Sequence, residues 1–327
     1  MISTDPQAPA KGRRFFLGKL IISLLLLGAL FWRVDRAAFF RSLQALPLTV
    51  FLGCLLLYIL GYVLSTIRWQ WLLRAEGIQL SLGRLLILYF EGAFFNLFLP
   101  TLIGGDIVRG YAIHKLTRGH DAAVPSILVD RLSGFAALLT IAAVAVTIGY
   151  DQVGDPQVAL MVLGMTAAFV VLLLILMNAR ALRLAVGMAR LCRFGRFQSK
   201  LQGWVDALQR YRRHGWALGQ AFLLSLVLQL LIIVTYYVVG LALNLQVPAS
   251  VFFVFVPLIT TIAMLPVSVA GLGVRESGVV YFFAKVGVDA ATALSMSLIW
   301  FSLTVIVCGL GGLAFLLDNH LAKRSEA

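Results

Sequence analysis

The residues of this chain best able to do chemistry sit in two short polar segments set within apolar sequence. The first reads Glu91-Gly-Ala-Phe-Phe-Asn96-Leu-Phe-Leu-Pro100-Thr-Leu-Ile-Gly104-Gly105-Asp106-Ile-Val-Arg109. The second reads Leu265-Pro266-Val-Ser-Val-Ala-Gly271-Leu-Gly273-Val-Arg275-Glu276, and Asp130-Arg131 stands between the two. A guanidinium offers a planar fork of donors that matches phosphate, so Arg109 is a candidate contact for a lipid phosphate. The plainer reading is a structural Asp106–Arg109 pair at the mouth of a hairpin, and the two readings are compatible. Asp130-Arg131 reads either as a buried pair structuring a helix bundle or as a headgroup contact or gate. Arg275 and Glu276 are adjacent, do not share a helix face, and are expected to have separate partners. The candidate headgroup-binding set is therefore Glu91, Asn96, Asp106, Arg109, Asp130, Arg131, Arg275 and Glu276.

Other chemistries find little support. Gly271-x-Gly273 follows no strand and lacks the third glycine of a dinucleotide fingerprint. Cys54, Cys192 and Cys308 show neither pairing nor metal-ligand spacing, and His114, His120, His214 and His320 are scattered. No metal, no cofactor and no ATP-binding motif is indicated. Cys54 and Cys308 fall in apolar runs and read as packing residues.

Composition dictates the elements that must position these groups. Hydrophobic residues make up 61% of the chain and charged residues 13%, where a soluble domain carries roughly 25% charged. Mean hydropathy is +0.95. Apolar runs at 15–32, 48–67, 85–104, 123–149, 157–177, 216–243, 250–269 and 291–317 reach the length that crosses a bilayer, with a shorter stretch at 277–288. In hydrocarbon the backbone must satisfy its own hydrogen bonds, so these runs are helices. The fold class is an all-α polytopic integral membrane protein. Because an ionised group at bilayer centre costs at least about 2.5–3.5 kcal/mol, the polar segments must pair internally or face a hydrated cavity.

The net charge of +13 would suggest nucleic acid in a soluble protein. Here the Lys and Arg residues cluster in short inter-helix segments, as orientation signals and anionic-lipid contacts require; no nucleic-acid partner is expected. The segment 179–215 is strongly basic, whereas the turn 151–156 carries Asp151 and Asp155 and no Lys or Arg. The first is expected in the cytoplasm and the second outside, together with a cytoplasmic tail over 1–14 and another over 319–327. Eight simple crossings violate that pattern. Treating 85–104 with its return, and 250–269 with 276–288, as re-entrant hairpins restores it and leaves six crossings with both termini inside. Within 179–215, Leu201, Trp204, Leu208 and Tyr211 recur at helical spacing. They read as an amphipathic helix on the cytoplasmic leaflet, or equally as a helix packed on the bundle. Arg68-Trp69, at the end of the second run, reads as an interfacial anchor.

The two polar segments also match each other. Leu99-Pro100, Gly105 and Arg109 recur as Leu265-Pro266, Gly271 and Arg275 at a constant offset of 166. Pro100, Gly104, Gly105, Pro266, Gly271 and Gly273 are expected to break the hairpins, since proline removes a donor and glycine permits helix-ending conformations. An inverted-topology repeat of halves 48–149 and 216–317 follows, the arrangement that builds a midplane site from broken helices. The alternative is coincidence between two breaks.

Asn96-x-x-Leu99-Pro100-x3-Gly104-Gly105-Asp106-x-x-Arg109, then Asp130-Arg131, then Leu265-Pro266-x4-Gly271-x-Gly273-x-Arg275-Glu276 resembles the flippase-like membrane family, also called the lysylphosphatidylglycerol synthase transmembrane region. Arg68-Trp69 fits it too, and the resemblance spans residues 15–318 as a single transmembrane domain. It implies a multi-pass protein of the bacterial or archaeal cytoplasmic membrane whose partners are membrane lipids, phosphate-bearing ones first. Only ten residues follow Leu317, so the soluble aminoacyl-transfer domain of the bifunctional synthases is not expected, nor is lysyl transfer. A lipid flippase is the leading expectation. An intramembrane transferase on a lipid-linked substrate, and a non-catalytic scaffold for envelope lipid or glycolipid synthesis, are the alternatives.

Overall fold

The computed structural model describes Leu25, Gly28, Trp32, Ser268 and residues 35–98, 104–120, 122–153, 155–178, 209–264 and 271–325. The first apolar run therefore lies almost entirely outside the described residues, as do both tails' outermost residues, most of the basic loop, Pro100 and Pro266. The described residues are helical wherever regular structure occurs, as the hydropathy requires.

Among the described residues, five helices are long and apolar enough to span a membrane: α2 (Leu48–Ala75), α5 (Ala123–Val153), α6 (Pro156–Met177), α7 (Gly215–Ala242) and α10 (Ala290–Ser325). Local chemistry sets their limits. Asp155 caps α6 by accepting the Gln157 N–H at 2.8 Å, with Pro156 in the first helical position where no donor is needed. Gly77 ends α2 at φ +78°, donating to the Arg74 carbonyl at 3.0 Å. A short α1 (Arg36–Ala45), capped by Asp35, falls between the first two apolar runs; its Phe39 packs on Ala291 and Leu294 at the start of α10.

Two helical hairpins complete the bundle, α3 (Leu82–Phe98) with α4 (Gly104–Leu116) and α8 (Ala249–Ala263) with α9 (Val274–Ala284). At about 1.5 Å per residue, the 17 residues of α3 and 15 of α8 reach about 25 and 22 Å, less than the roughly 30 Å of hydrocarbon. The hairpins fold back tightly. A Cβ on Gly105 would fall on the Gly92 carbonyl oxygen, so only glycine allows α3 and α4 to approach this closely. Gly104-Gly105 thus begins a helix and brings two together, where the sequence suggested a helix end. In the second hairpin Phe252 and Phe255 meet Phe283 at 5.0 and 5.5 Å between ring centroids.

The helix starts recur at a similar offset. α2 and α7 begin at Leu48 and Gly215, α3 and α8 at Leu82 and Ala249, α5 and α10 at Ala123 and Ala290, each 167 residues apart; α4 and α9 begin 170 apart, at Gly104 and Val274. The halves exchange partners: α3 packs on α10 of the second half, α8 packs on α5 of the first, and α2 lies along α7.

The hairpins open at opposite ends of the bundle. The first opens at a proximal end, where Ile78, Leu85 and Ile113 cluster with Trp69 and Leu73 near the end of α2 and with Ala123 and Ile127 of α5. Arg210 pairs there with Glu76 at 3.1 Å and Gln209 reaches the Leu176 carbonyl. The second opens at the distal end, where Lys285 pairs with Asp155 at 2.5 Å. Tyr211 is buried, its hydroxyl donating to the Leu72 carbonyl at 3.1 Å. It therefore packs on the bundle; Leu201, Trp204 and Leu208 lie outside the described residues.

Candidate functional site

Asp130 is fully buried in α5, seven residues and so about 10 Å of helix from its start. A lone carboxylate there would neutralise or find cations, and it finds two. Its Oδ1 accepts from Arg68 Nε at 2.8 Å, and its Oδ2 lies 3.6 Å from Arg109 Nη2. The Tyr89 hydroxyl approaches Oδ2 at 3.5 Å. Arg68 is also held by the Ser225 hydroxyl of α7 at 2.7 Å, so one guanidinium ties α2, α5 and α7 together.

Asp106 is the second anionic centre. Arg131 grips it with two hydrogen bonds, Nε to Oδ2 at 2.8 Å and Nη2 to Oδ1 at 3.1 Å, and Arg109 Nη1 donates to Oδ1 at 3.2 Å. The adjacent Asp130 and Arg131 are therefore not each other's partners: each reaches a different charge, and the pairs join α2, α4 and α5. The Asp106–Arg109 pair is present, but the closer grip on Asp106 comes from Arg131.

Arg109 sits where both carboxylates converge. Its stem passes over Gly92, where a Cβ would lie 2.6 Å from Cδ. Its guanidinium carbon lies 4.2 Å from the Trp69 ring centroid and 4.0 Å from that of Tyr89, a cation–π setting worth about 2 kcal/mol or more when desolvated. The residue is 2% exposed, yet Nε and Nη2 have no hydrogen-bond partner. Buried charged donors are ordinarily all satisfied.

Several of these groups line a cavity of about 290 Å³ between the two halves. The first half contributes Arg68, Tyr89, Asn96, Arg109, Asp130 and Arg131, and the second contributes Gln229, Thr235, Thr260, Met264 and Trp300. Asn96 faces the cavity while its Oδ1 accepts the Gly105 N–H at 2.7 Å, closing the hairpin tip. Glu91 is buried on α3 and is not part of the lining.

The second polar segment is arranged differently. Glu276 is fully buried and accepts from Gly273 N at 2.6 Å, Ser297 Oγ at 3.3 Å, and Arg275 Nε and Nη2 at 3.1 and 2.5 Å. Arg275 and Glu276 are thus each other's main partner, because the long arginine side chain folds back along the helix start. Gly271 and Gly273 adopt φ of +75° and +81°, a region costly to residues with a Cβ, and so form the turn into α9. Neither Arg275 nor Glu276 lines the cavity.

Arg68-Trp69 is not the interfacial anchor that the sequence predicts. α2 continues to Ala75, which puts Arg68 and Trp69 inside the protein, at 6% and 0% exposure. Trp69 Nε1 donates to the Ser126 hydroxyl at 2.9 Å. The available signal was an arginine with a full two turns of helix still to follow. Tyr89, Gln229 and Trp300 carried no comparable signal in an aromatic, apolar sequence. Cys54 and Cys308 are buried and unpaired, in keeping with packing roles; Cys192 lies outside the described residues. No group of three metal-ligating side chains occurs among the described residues.

A model of the family described as the lysylphosphatidylglycerol synthase TM region matches residues 16–312. No curated protein matches the chain.

Proposed function

The chain belongs to the lysylphosphatidylglycerol synthase transmembrane-region family, a multi-pass membrane family related to lipid metabolism, and on that footing we propose that it is a flippase-like lipid transporter. A phosphate-bearing headgroup enters the cavity between the halves and is held by Arg109. The observation that carries this reading is a buried arginine at the cavity whose Nε makes no hydrogen bond and whose Nη2 is held only by the 3.6 Å ion pair with Asp130. Nε and Nη2 are coplanar and neither is hydrogen-bonded, so the edge they form matches the spacing of two phosphate oxygens. Arg68 and Arg131 remain bound to Asp130 and Asp106 and keep the cavity positive, while Trp69 and Tyr89 fix the plane of the Arg109 fork.

The hairpins supply the route. They open at opposite ends of the bundle and each packs on the other half, so rocking one half against the other would expose the cavity to alternate sides. In this proposal the proximal end is cytoplasmic, six crossings include the run 15–32, and the protein lies in the cytoplasmic membrane. Charge supports that orientation: Arg74, Arg84, Lys115, Arg118, Arg210, Arg212 and Arg213 gather at the proximal end, whereas Arg36, Arg41 and Lys285 at the distal end are balanced by Asp35, Asp155 and Asp289.

The test is reconstitution of the full chain in liposomes containing headgroup-labelled anionic phospholipids. Exchange between leaflets should exceed that of empty vesicles and fall at least about tenfold for Arg109→Gln. Exchange equal to that of empty vesicles, with altered lipid composition in a deletion strain, would instead favour a transferase.

A further inference from the structure

The phosphate contact accounts for one part of the cavity, and the rest of the lining bears on what else the headgroup carries. We infer that the cavity takes an anionic headgroup whose remaining part is uncharged and rich in hydroxyls, a phosphodiester-linked polyol or sugar, and that it rejects headgroups bearing an amine. This rests on the phosphate reading above.

Charge is the first ground. The lining carries Arg68, Arg109 and Arg131 against a single carboxylate, Asp130. Counting Asp106 behind them, three guanidiniums still meet two carboxylates. Both carboxylates are committed. Each oxygen of Asp130 faces an arginine, and each oxygen of Asp106 accepts from Arg131. An ammonium could gain a carboxylate only by displacing a guanidinium and leaving it buried without its partner, the costly way to break a buried ion pair. It would also enter a field of its own sign. An aminoacylated headgroup meets both penalties.

The second ground is the uncharged part of the lining. Gln229 Nε2 donates to the Gly134 carbonyl at 3.3 Å, but Oε1 is buried without a hydrogen-bond partner. A hydroxyl donor satisfies it without adding charge. Tyr58, Tyr62 and Trp300 supply flat aromatic walls, against which the C–H faces of a ring or polyol pack. At about 290 Å³ the cavity sits at the lower bound of ligand pockets, roughly 300–1,000 Å³, which suits one headgroup unit and not an oligosaccharide.

The experiment is calorimetric titration of the purified full chain in detergent micelles with short-chain lipids. The probes are dioctanoyl phosphatidylinositol, phosphatidic acid, phosphatidylethanolamine and lysylphosphatidylglycerol, together with soluble inositol 1-phosphate. Phosphatidylinositol should bind at least about tenfold more tightly than either amine-bearing lipid. Gln229→Leu should weaken phosphatidylinositol by about tenfold and leave phosphatidic acid within about twofold; retained phosphatidic acid binding shows that the variant is folded. Amine-bearing lipids binding as tightly as phosphatidylinositol, with Arg109→Gln abolishing both, would overturn this inference and leave the phosphate reading intact. Anionic lipids that fail to bind, or that bind Arg109→Gln unchanged, would overturn both. Inositol 1-phosphate binding as tightly as its lipid would support the headgroup chemistry and overturn its lipid source.

Discussion

Arg109 and Asp130 carry opposite consequences for any substitution at the site. Two Arg109 nitrogens make no hydrogen bond, so its loss should fall on the proposed lipid exchange before stability. Arg109→Lys keeps the charge but not the fork, and is expected to retain less than about a tenth of wild-type leaflet exchange. Asp130 has no reserve: its oxygens serve Arg68 and Arg109. Asp130→Ala strands two buried guanidiniums and is expected to destabilise the protein by about 3–5 kcal/mol, read as a lowered thermal unfolding transition in detergent. A transition unchanged from wild type would show that Asp130 does not organise the cluster. The contrast between Arg109 and Arg275 belongs here too. They match in sequence, yet Arg275 is satisfied by Glu276 whereas Arg109 is left with two nitrogens that make no hydrogen bond.

The hairpins depend on backbone proximity more than on side-chain chemistry. Gly105 meets the Gly92 carbonyl at a separation that leaves no space for a methyl group, whereas a Cβ at Gly61 on α2 meets nothing within 4 Å. Gly105→Ala should therefore force α3 from α4 and cost about 1–3 kcal/mol as overpacking, with transport lost alongside because Arg109 rides on α4. Gly61→Ala is the control and should be neutral or slightly stabilising, since alanine is the better helix former. Equal effects of the two on thermal unfolding would remove the close-approach account of the hairpin. The second hairpin has its own device: Glu276 accepts the Gly273 N–H at the start of α9, where a carboxylate also favours the helix dipole.

Across the molecule, the Asp155–Lys285 pair joins the turn before α6 to the base of the second hairpin. The Lys285 ammonium holds the Asp155 carboxyl below its ordinary value, and Asp155 in turn raises the Lys285 value. The carboxylate contribution is therefore complete above the unfolded value of about 3.9 and is lost as pH falls through the lowered folded value; the ammonium contribution is complete below about 10.4 and is lost as pH rises through the raised one. The unfolding transitions of wild type and Asp155→Asn should differ at neutral pH and converge under strong acid. The difference should be small and shrink with salt, because the pair is solvent-facing. Orientation has a separate test. Single cysteines in 151–156 should react with an impermeant thiol reagent added outside intact cells, and one at Lys115 should not. Labelling of the Lys115 position from outside would sink the proposed first hairpin.

Much of this architecture is written in local sequence. Hydropathy alone dictates an all-helical membrane protein, because hydrocarbon leaves the backbone no partner but itself. Loop charge calls for two hairpins, and the spacing of Leu99-Pro100, Gly105 and Arg109 against Leu265-Pro266, Gly271 and Arg275 suggests a repeat that relates them. Charge placement among the loops separates the two ends. What local sequence leaves undetermined is which charge meets which. Asp130 is covalently next to Arg131 but bonds to Arg68 and Arg109, 62 and 21 residues away along the chain, and Gln229 reaches the same cavity from the other half. Coulomb energy depends on distance in space, and only the packing of α2, α4 and α5 sets those distances. The same packing decides that Arg275 is quenched by its neighbour while Arg109, at the matching position of the other segment, keeps two nitrogens without hydrogen bonds beside the cavity.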